Sequence, residues 1–585
     1  MPSKPNRPEP PPGGPRPEPT GCPSPRWRAS LAAAVLLTLT AVPISPSPAG
    51  AADDHPVSAI VDLAPLSTSS DRRIVDSQGR DVLLRGVNVN SLGEYWEGVP
   101  GLDPSIPVTQ DDWERMAEHG FSVIRLLVTW SRVEPTRGTI DQDYLNQVDA
   151  YVRVAAAHGM YTVIDMHQDA YSAFISTTDP ASCPPGTTPA KGWDGAPEWA
   201  TLTDGLSTCL EGEDRNSSPA VTRAWNNFYD NTDGIRDRFA ASWGAIAERF
   251  AGRPEVAGFD LLNEPENSRP AGELAPTYNE FLADVIGAIR AAQTDAPFDH
   301  VIFLEPALPA ADRSRGFAIP AVESLGPDVS NLAGSVHNYA ESIENGFTIE
   351  GLNELIESIT LELGVPNWGG EYGFWSTNEE TMARFRRYAA DEDRLGWGGA
   401  WWQWRQSCGD PHSVRWEGDE VVAPGAVGTP PDLYCPESDG PAEEHLDLIG
   451  RGYPRATPGR LTELRSDPDT GYLTVAATAP DPGGELVVWT PTSADAEHPV
   501  AVDNLTSVTE TNVPGGRLIT ATVATAGNYH LWVGPVDQAP PGSTTTAPPS
   551  SPDDSAPSSP DSAGQSPSDS EASTPAAPLR PSFTG

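Results

Sequence analysis

Short apolar runs rich in β-branched residues alternate with amphipathic segments between residues 82 and 404. Such alternation predicts a parallel β-sheet in which helices connect successive strands. The runs that read as strands are Val82–Val89, Ser122–Val128, Tyr161–His167, Val256–Asn263, His300–Glu305, Leu332–Tyr339, Val365–Glu371 and Trp397–Trp404. Eight units favour an α/β fold of the (β/α)8 TIM-barrel type over an open dinucleotide-binding sheet, because no G-x-G-x-x-G motif follows the first strand.

Helical segments occupy several of the gaps between these strands. Apolar residues recur there at the spacing of one helix face. The clearest such segments are Asp111–Glu118, Asp141–Ala157, Asp233–Phe250 and Ala275–Gln293. The segment Arg73–Leu84 carries the turn residues Asp76–Gly79 and is predicted to form a hairpin that leads into the first strand.

Two segments after predicted strands are unusually long, at residues 168–222 and 405–450, and each contains two cysteines. Long loops at the carboxyl ends of barrel strands usually shape access to a site. Of the three possible connectivities, the local disulfides Cys183–Cys209 and Cys408–Cys435 are favoured. A zinc site is the alternative, but no C-x-x-C spacing supports it.

Composition divides the chain into four parts. Residues 1–52 form an N-terminal extension whose arginines Arg26 and Arg28, apolar run Ala29–Val42 and small residues Ala49–Ala51 predict a signal peptide and a secreted protein. The barrel is predicted over residues 72–455. Short alternating strands over residues 456–535 predict a small C-terminal β-sandwich. Residues 536–585 are rich in Pro, Ser and Thr and are predicted to stay disordered.

The chain of 585 residues carries a net charge of −45 at pH 7. Such a surface repels nucleic acid and anionic membranes at long range. We therefore expect no nucleic-acid partner and no electrostatic docking to membranes. We also expect a monomer.

Two glutamates close predicted strands on opposite sides of the barrel. Strand four ends in G-F-D-L-L-N-E-P, which places Asn263 and Glu264 at the rim, and strand seven ends in N-W-G-G-E-Y-G, which places Glu371 there. Barrel active sites lie at this end, and glycosidic cleavage needs two carboxyl groups. We predict Glu264 as acid/base and Glu371 as nucleophile of a retaining mechanism. Burial and mutual repulsion are expected to raise the pKa of the acid. The alternative is that each glutamate caps a helix or forms an ion pair.

Other strand ends carry polar and aromatic residues that fit a sugar site. We expect Arg125 to keep Glu371 ionised, Tyr339 to donate to the Glu371 carboxylate, and a strand-eight tryptophan to stack on a pyranose ring. His167 and His337 also lie at strand ends. A metal site is disfavoured because these histidines lack a compact ligand motif such as H-E-x-x-H, and we predict no metal and no cofactor.

This set of residues resembles glycoside hydrolase family 5 over residues 72–455. The family pattern is an arginine on strand two, histidine on three, Asn-Glu on four, histidine and tyrosine on six, glutamate on seven and tryptophan on eight. The matching residues are Arg125, His167, Asn263, Glu264, His337, Tyr339, Glu371 and Trp402.

Within the family the chain looks most like endoglycoceramidases, which cleave oligosaccharide from ceramide. The motifs that carry this resemblance are D-M-H-Q-D-A-Y-S, D-G-A-P-E-W-A, L-L-N-E-P, G-G-E-Y-G and R-G-Y-P-R-A. The resemblance implies that Asp169 joins His167 in binding the first sugar and that Asn263 bonds its 2-hydroxyl. The chain departs from the family in the loop after strand one, Val87–Trp96, which has no lysine. Its sugar preference, for glucosyl- or galactosyl-ceramide, is therefore left open.

Apolar residues in two loops predict a surface for a lipid aglycone and transient contact with lipid surfaces. They are Phe174, Ile175, Trp193, Pro197 and Trp199 after strand three, and Val99, Pro100, Leu102, Ile106 and Pro107 after strand one. Alternatively, these residues pack the loops onto themselves. The substrate is thus predicted to be a glycolipid or an oligosaccharide. The competing functions are cleavage of β-glucan, mannan or a sterol glucoside, and carbohydrate binding without catalysis.

Overall fold

A closed barrel of eight parallel strands in chain order forms the larger part of the protein, which confirms the predicted (β/α)8 fold. The computed structural model describes residues 61–545 except 95–106, 213, 309–312, 327–328, 343–345, 406–414, 418–419, 423–440, 493–497, 536–538 and 540–542. The barrel strands are Arg85–Val89, Val123–Thr129, Tyr161–His167, Val256–Asp260, Val301–Leu304, Leu332–Ser335, Asn367–Tyr372 and Gly399–Trp401.

Several strands end earlier than their apolar runs predict. Strand four ends at Asp260 rather than Asn263, and strand six ends at Ser335 rather than Tyr339. The remaining residues of each run leave the ladder and spread across the barrel mouth. The hydrophobic pattern extends through them because they are buried by the loops above the strands.

Helices surround the barrel close to the predicted positions. Asp141 caps one of them with its carboxylate and Thr109 forms a capping box with Asp112 on another. The α-helices are Gln110–Glu118, Trp130–Val133, Gln142–Ala157, Pro219–Tyr229, Ile235–Phe250, Ala271–Ala292, Ile349–Leu363, Glu379–Leu395 and Glu443–Ile449. None of the helices in the described ranges combines the length and apolar character needed to cross a bilayer.

Two antiparallel sheets face a second hydrophobic core after the barrel. In spatial order the larger sheet contains Leu66–Thr68, Ile74–Asp76, Arg80–Asp81, Tyr453–Pro458, Glu485–Pro491, Gly516–Val523 and Leu505–Val513. The smaller sheet contains Arg460–Asp467, Tyr472–Ala479, Gly527–Val533, Val500–Asp503 and Thr544–Thr545. The hairpin predicted at Arg73–Leu84 therefore leads into the barrel and also extends the C-terminal sheet. Thr544–Thr545 lies in the segment predicted to stay disordered, where it pairs with the edge strand Val500–Asp503. A separate hairpin pairs Arg415–Glu417 with Glu420–Val422.

A buried cluster of charges joins barrel and sheets. Arg451 contacts Glu392 at 2.6 Å and Asp393 at 2.7 Å, and Arg85 contacts Asp393 at 2.6 Å. The backbone N–H of Ser466, in the smaller sheet, donates to the same Asp393 carboxylate at 3.1 Å. Each of the four charged side chains is at most 3% exposed. Such carboxylates depend on their paired cations, because burying an unpaired charge is costly.

Glycine permits a second close contact at this joint. Gly120 has a φ of +69°, and a Cβ at this position would lie 2.1 Å from the ring of Trp489. The Trp489 indole donates to the carbonyl of Gly450 at 2.9 Å. The tryptophan thus packs directly against backbone at the end of the first barrel helix.

One predicted disulfide is present, between Cys183 and Cys209 in the loop after strand three. The other predicted pair, Cys408 and Cys435, lies outside the described residues. The disulfide closes the segment Cys183–Cys209, and the short 3-10 helix Arg215–Ser217 begins a few residues after Cys209.

Replacing Arg451 by methionine should destabilise the protein strongly, because Glu392 and Asp393 lose their shared buried cation. Removing one partner of a buried pair costs about 3–5 kcal/mol. The loss should appear as a lower urea midpoint followed by tryptophan fluorescence. Arg394→Met is the matched control, since Arg394 is 56% exposed and its pair with Asp391 is worth no more than about 1 kcal/mol. Equal effects of the two changes would contradict this account of the joint.

Candidate active site

A completely buried arginine organises the mouth of the barrel. Arg125 projects inward from strand two, and its guanidinium has five N–H donors. Five oxygens lie within reach of them: Nε meets Asp260 at 2.9 Å, Nη1 meets Glu371 at 2.7 Å and Asn88 at 3.2 Å, and Nη2 meets Asp165 at 2.9 Å and Asn263 at 3.0 Å. The surrounding carboxylates raise the pKa of Arg125 despite its burial. The side chain therefore links strands one, two, three, four and seven as a permanent cation.

Glu371 ends strand seven with both carboxylate oxygens held. Oε1 accepts from Arg125, and Oε2 accepts from the hydroxyl of Tyr339 at 2.7 Å. His337 Nδ1 lies 3.5 Å from Oε2. Both contacts expected from the sequence, with Arg125 and Tyr339, are thus present in the structure.

Glu264 sits on a strained turn immediately after strand four. Its φ of +39° lies in the left-handed region that non-glycine residues rarely adopt. Gln168 holds this turn by donating its amide to the carbonyls of Asn263 at 2.8 Å and Glu264 at 3.0 Å. The Glu264 N–H donates to Glu305 at 3.2 Å. These hydrogen bonds aim the carboxylate across the barrel mouth rather than along the strand.

The two glutamates predicted to be catalytic meet across the mouth. A carboxylate oxygen of Glu264 lies within 4.8 Å of one from Glu371, and His337 Nδ1 lies close to both. Retaining glycosidases hold their carboxyl groups about 5–5.5 Å apart, whereas inverting enzymes leave roughly 6.5–9.5 Å for a water molecule. The observed separation therefore fits direct attack by one carboxylate.

The pKa values of the pair differ from the sequence-based expectation. Burial raises the pKa of Glu371, although His337 and Arg125 oppose that rise. Burial would also raise the pKa of Glu264, but a hydrogen bond and charge from His337, with the charge of Arg215, lower it to about 2. We expected the pKa of the acid, Glu264, to be raised. That expectation was wrong for the unliganded site, because two cationic groups face Glu264.

His337 connects the two glutamates to a further buried carboxyl group. Its Nδ1 lies 2.9 Å from Glu264 Oε1, and its Nε2 lies 3.3 Å from Glu305. Burial alone would lower the pKa of His337, but Glu305 and Glu371 raise it well above its usual value. Burial raises the pKa of Glu305 to about 8. The histidine is therefore a fixed cation between the acids.

A second polar cluster lies at the end of strand three. His167 Nδ1 is 2.8 Å from Asp165, and its Nε2 is 3.5 Å from Asp169. Asp194 pairs with Asp169 through an isolated bridge, and its carboxyl is completely buried. The ring of Trp402 stacks on His167, with centroids 5.3 Å apart. The structure thus brings every predicted site residue to the same end of the barrel.

Several residues of the site were not predicted. Asp165 and Asp260 are charged residues inside apolar strand runs, which is a detectable signal for a buried network. The sequence pattern predicts no role for Glu305 beyond the end of strand five. Arg215 lies far along a long loop, where no periodicity indicates its destination. It contacts Asp169 directly and lies 3.2 Å from Glu264 Oε2.

Among the residues that the structure describes, two groups of side chains have the geometry to hold a metal ion. Ligand atoms of Glu264, His337 and Glu371 lie within 4.8 Å of one another, as do those of the cluster at the end of strand three. In both groups a cationic side chain already stands beside the carboxylates, His337 in the first and Arg215 in the second. Residues His167, Asp169 and Asp194 make up the second group.

The fold and this paired-carboxylate site define a retaining glycoside hydrolase built on a (β/α)8 barrel. The model of glycosyl hydrolase family 5, the cellulase family, matches residues 75–407. The chain belongs to that family.

Known proteins similar to about four fifths of the chain carry related names. Endoglycoceramidase I of Rhodococcus hoagii (strain 103S) is 26% identical over 78% of this chain and 85% of its own length. A crystal structure of endogalactoceramidase is 33% identical with a TM-score of 0.69, covering 80% of this chain and 100% of that one. Endo-glycoceramidase II from Rhodococcus sp. in complex with ganglioside GM3 is 25% identical with a TM-score of 0.58, covering 80% and 100% of the two chains.

Tyr339→Phe should weaken hydrolysis by removing the hydroxyl that donates to Glu371. A hydrogen bond to a charged group contributes about 1.5–3 kcal/mol, which predicts a loss of roughly 10- to 100-fold in kcat/KM. The pKa of Glu371 should rise, because the phenol favours the ionised carboxyl. The measurement is the pH profile for hydrolysis of 2,4-dinitrophenyl β-lactoside. Its acid limb, where activity falls because Glu371 becomes protonated, should lie at a higher pH than in the wild type.

Tyr529→Phe provides a matched control. The Tyr529 hydroxyl is also buried, but it donates to the carbonyl of Pro458 in the C-terminal sheets. Its loss should leave the acid limb of the pH profile in place. A Tyr339→Phe enzyme with reduced activity and an unmoved acid limb would show that this hydroxyl does not act on the charge of Glu371.

Proposed function

We propose that the protein hydrolyses the β-glycosidic bond between oligosaccharide and ceramide in glycosphingolipids through a covalent glycosyl-enzyme intermediate. The observation that carries the proposal is the meeting of Glu264 and Glu371 within 4.8 Å across the barrel mouth. Similarity to endoglycoceramidases along most of the chain supports the substrate class.

In the first chemical step, a carboxylate oxygen of Glu371 attacks the anomeric carbon while the bond to the ceramide oxygen breaks. Arg125 and Tyr339 orient that carboxylate, and Arg125 favours its ionised form. Glu264 donates a proton to the departing oxygen, so ceramide leaves as a neutral alcohol. The sugar is then esterified to Glu371.

In the second step, water replaces ceramide beside Glu264. The Glu264 carboxylate now accepts a proton from this water, whose oxygen attacks the anomeric carbon and displaces Glu371. Two displacements retain the configuration. In this proposal Asn263, whose amide oxygen accepts from Arg125 at 3.0 Å, bonds the sugar's 2-hydroxyl, and Asp169 and His167, 3.5 Å apart, bind the same sugar.

Exposed aromatic side chains support a lipid aglycone. Phe174, Phe317 and Phe347 are 50%, 41% and 41% exposed, and they lie in the loops after strands three, five and six. All three loops are at the end of the barrel that carries the site. Exposed apolar groups concentrated near one site mark a binding surface.

The loop residues predicted from sequence contribute less to this surface than expected. Ile175 and Trp193 are buried, and Trp199 packs edge-on against Trp130 with centroids 5.3 Å apart. Of the strand-three set, Phe174 is the exposed member, with about half of its surface open to solvent. The residues Val99, Pro100, Leu102 and Ile106 of the strand-one loop lie outside the described residues.

Export is a further part of the proposal. The arginine pair, apolar run and small-residue site within residues 26–52 support a cleaved signal peptide, and the Cys183–Cys209 disulfide fits an oxidising compartment. Protein recovered from culture medium should begin near Ala52.

A substrate panel tests the proposed reaction. Ganglioside GM3, galactosylceramide, a sterol glucoside and a cello-oligosaccharide are incubated with the enzyme, and products are resolved by mass spectrometry. We expect intact glycan and ceramide from a sphingolipid. Glu371→Gln should abolish this turnover while retaining binding, because the covalent step is lost. Cleavage of the cello-oligosaccharide or the sterol glucoside alone would replace the sphingolipid assignment, and silence on all four would favour a carbohydrate-binding protein.

The aromatic surface should matter only for lipid substrates. Each half-exposed ring is worth about 1 kcal/mol of apolar burial, so serine at Phe174, Phe317 and Phe347 together should weaken binding of ganglioside in liposomes roughly 100-fold. Hydrolysis of a soluble aryl β-lactoside should stay near the wild-type rate. Leu361→Ser is the control, because Leu361 is 58% exposed near the far end of the helix Ile349–Leu363. Equal loss on both substrates would argue against a lipid-binding role.

A further inference from the structure

Arg215 lies between the acid/base and the sugar-binding end of strand three. One guanidinium nitrogen, Nη2, contacts Asp169 directly and lies 3.2 Å from Oε2 of Glu264. The guanidinium carbon lies 5.2 Å from the ring centroid of Trp193. The residue begins the 3-10 helix Arg215–Ser217, whose N-cap is Asp214, and its side chain remains 27% exposed.

Charged groups face Glu264 from several elements of the barrel. His337 follows strand six and lies 2.9 Å from Oε1, while Arg215 faces Oε2 from the loop after strand three. His167 at the end of strand three adds a weaker cationic influence. Glu371 on strand seven is the neighbouring carboxylate, and Glu305 after strand five accepts from the Glu264 N–H. Both oxygens of Glu264 are thus turned toward cations.

This arrangement conflicts with acid catalysis. A carboxyl group that donates a proton to the departing oxygen needs a protonated oxygen facing the substrate. His337 is buried and held from its other side by Glu305, so it cannot readily withdraw. Arg215 is partly exposed on a loop and is the cation that can leave.

We infer that Arg215 holds the acid/base Glu264 ionised in the unliganded enzyme, and that binding of the first sugar displaces its guanidinium from Oε2 so that Glu264 can take up a proton. Arg215 is a positioning residue in this scheme, acting through Glu264. The inference rests on the proposed role of Glu264, but it does not depend on which aglycone the enzyme accepts.

The same displacement prepares acceptors for the sugar. Asp169 loses a cation that now neutralises it, and its carboxylate can accept hydrogen bonds from hydroxyl groups instead. Neither carboxyl oxygen of the neighbouring Asp194 has a hydrogen-bond partner among the residues that the structure describes. In the unliganded site, the Arg215 guanidinium donates to Asp169. A sugar hydroxyl takes the place of this donor when the substrate is bound.

The test follows the protonation of Glu264 directly. Carbon-13 label is placed in glutamate carboxyl groups, the Glu264 resonance is assigned with Glu264→Gln, and its titration midpoint is measured by NMR. Arg215→Gln should raise the midpoint by about 1–3 pH units, since a cation within 4–6 Å lowers a carboxyl pKa by about that amount. Octyl β-thiolactoside, a neutral glycolipid mimic, should raise the wild-type midpoint similarly and leave that of Arg215→Gln nearly unchanged.

Arg223→Gln is the matched control, because Arg223 lies on the adjacent helix and is 46% exposed beside Asp204. It should leave the midpoint and its response to the mimic as in wild type. An unchanged midpoint in Arg215→Gln, or a bound wild type that still titrates like the free enzyme, would overturn the inference. A raised midpoint in an enzyme that cleaves no sphingolipid would preserve the role of Arg215 and reject only the proposed substrate.

Discussion

The fully buried guanidinium of Arg125 is the interaction on which the site depends. Its donors reach five oxygens from four other barrel strands or their ends, including the carboxylates of Asp165, Asp260 and Glu371. Carboxylates so close together and so far from water would repel one another or take up protons. One cation that cannot lose its own proton lets several of them share a small volume. It also fixes Glu371 and Asn263 relative to one another.

His337 also lets neighbouring carboxylates lie close together, at a level of the barrel nearer to the solvent. It lies between Glu264, Glu305 and Glu371, and a proton held there reduces the repulsion that brings the two catalytic candidates so close. The cost is that the same proton favours ionised Glu264. A retaining site therefore has competing electrostatic requirements: the charge that permits a short carboxyl separation also opposes protonation of the acid.

The sequence predicted the barrel and the positions of most site residues because both follow from local rules. Apolar β-branched runs identify strands, and polar residues such as Asn263 and Glu371 at their ends must meet at one mouth. Residues that depend on long-range placement could not be found this way. Arg215 lies about fifty residues after strand three, and nothing in its neighbours shows that the loop returns to Asp169. The pairing of Arg80–Asp81 in the N-terminal hairpin with Tyr453–Pro458 in the C-terminal sheet could not be predicted for the same reason, because it leaves no trace in the local sequence.

The pKa of Glu264 was mispredicted because burial and repulsion by Glu371 were considered without the cations that face Glu264. For two isolated carboxyls, desolvation decides which one keeps a proton. Here the two differ in burial and in neighbours. The Glu264 side chain is 23% exposed and faces His337 and Arg215, whereas that of Glu371 is 5% exposed and shares His337 with Glu264 and Arg125 with Asp165 and Asp260. Glu371 therefore has the higher pKa of the two in the unliganded site, so as the pH falls a proton distributes first to Glu371. Catalysis requires the reverse distribution, so binding of the sugar has to change the electrostatic surroundings of Glu264 as well as position the bond. Arg215 is the cation placed to supply that change, because its side chain is 27% exposed on a loop and its displacement would leave the contacts of Arg125 and His337 in place.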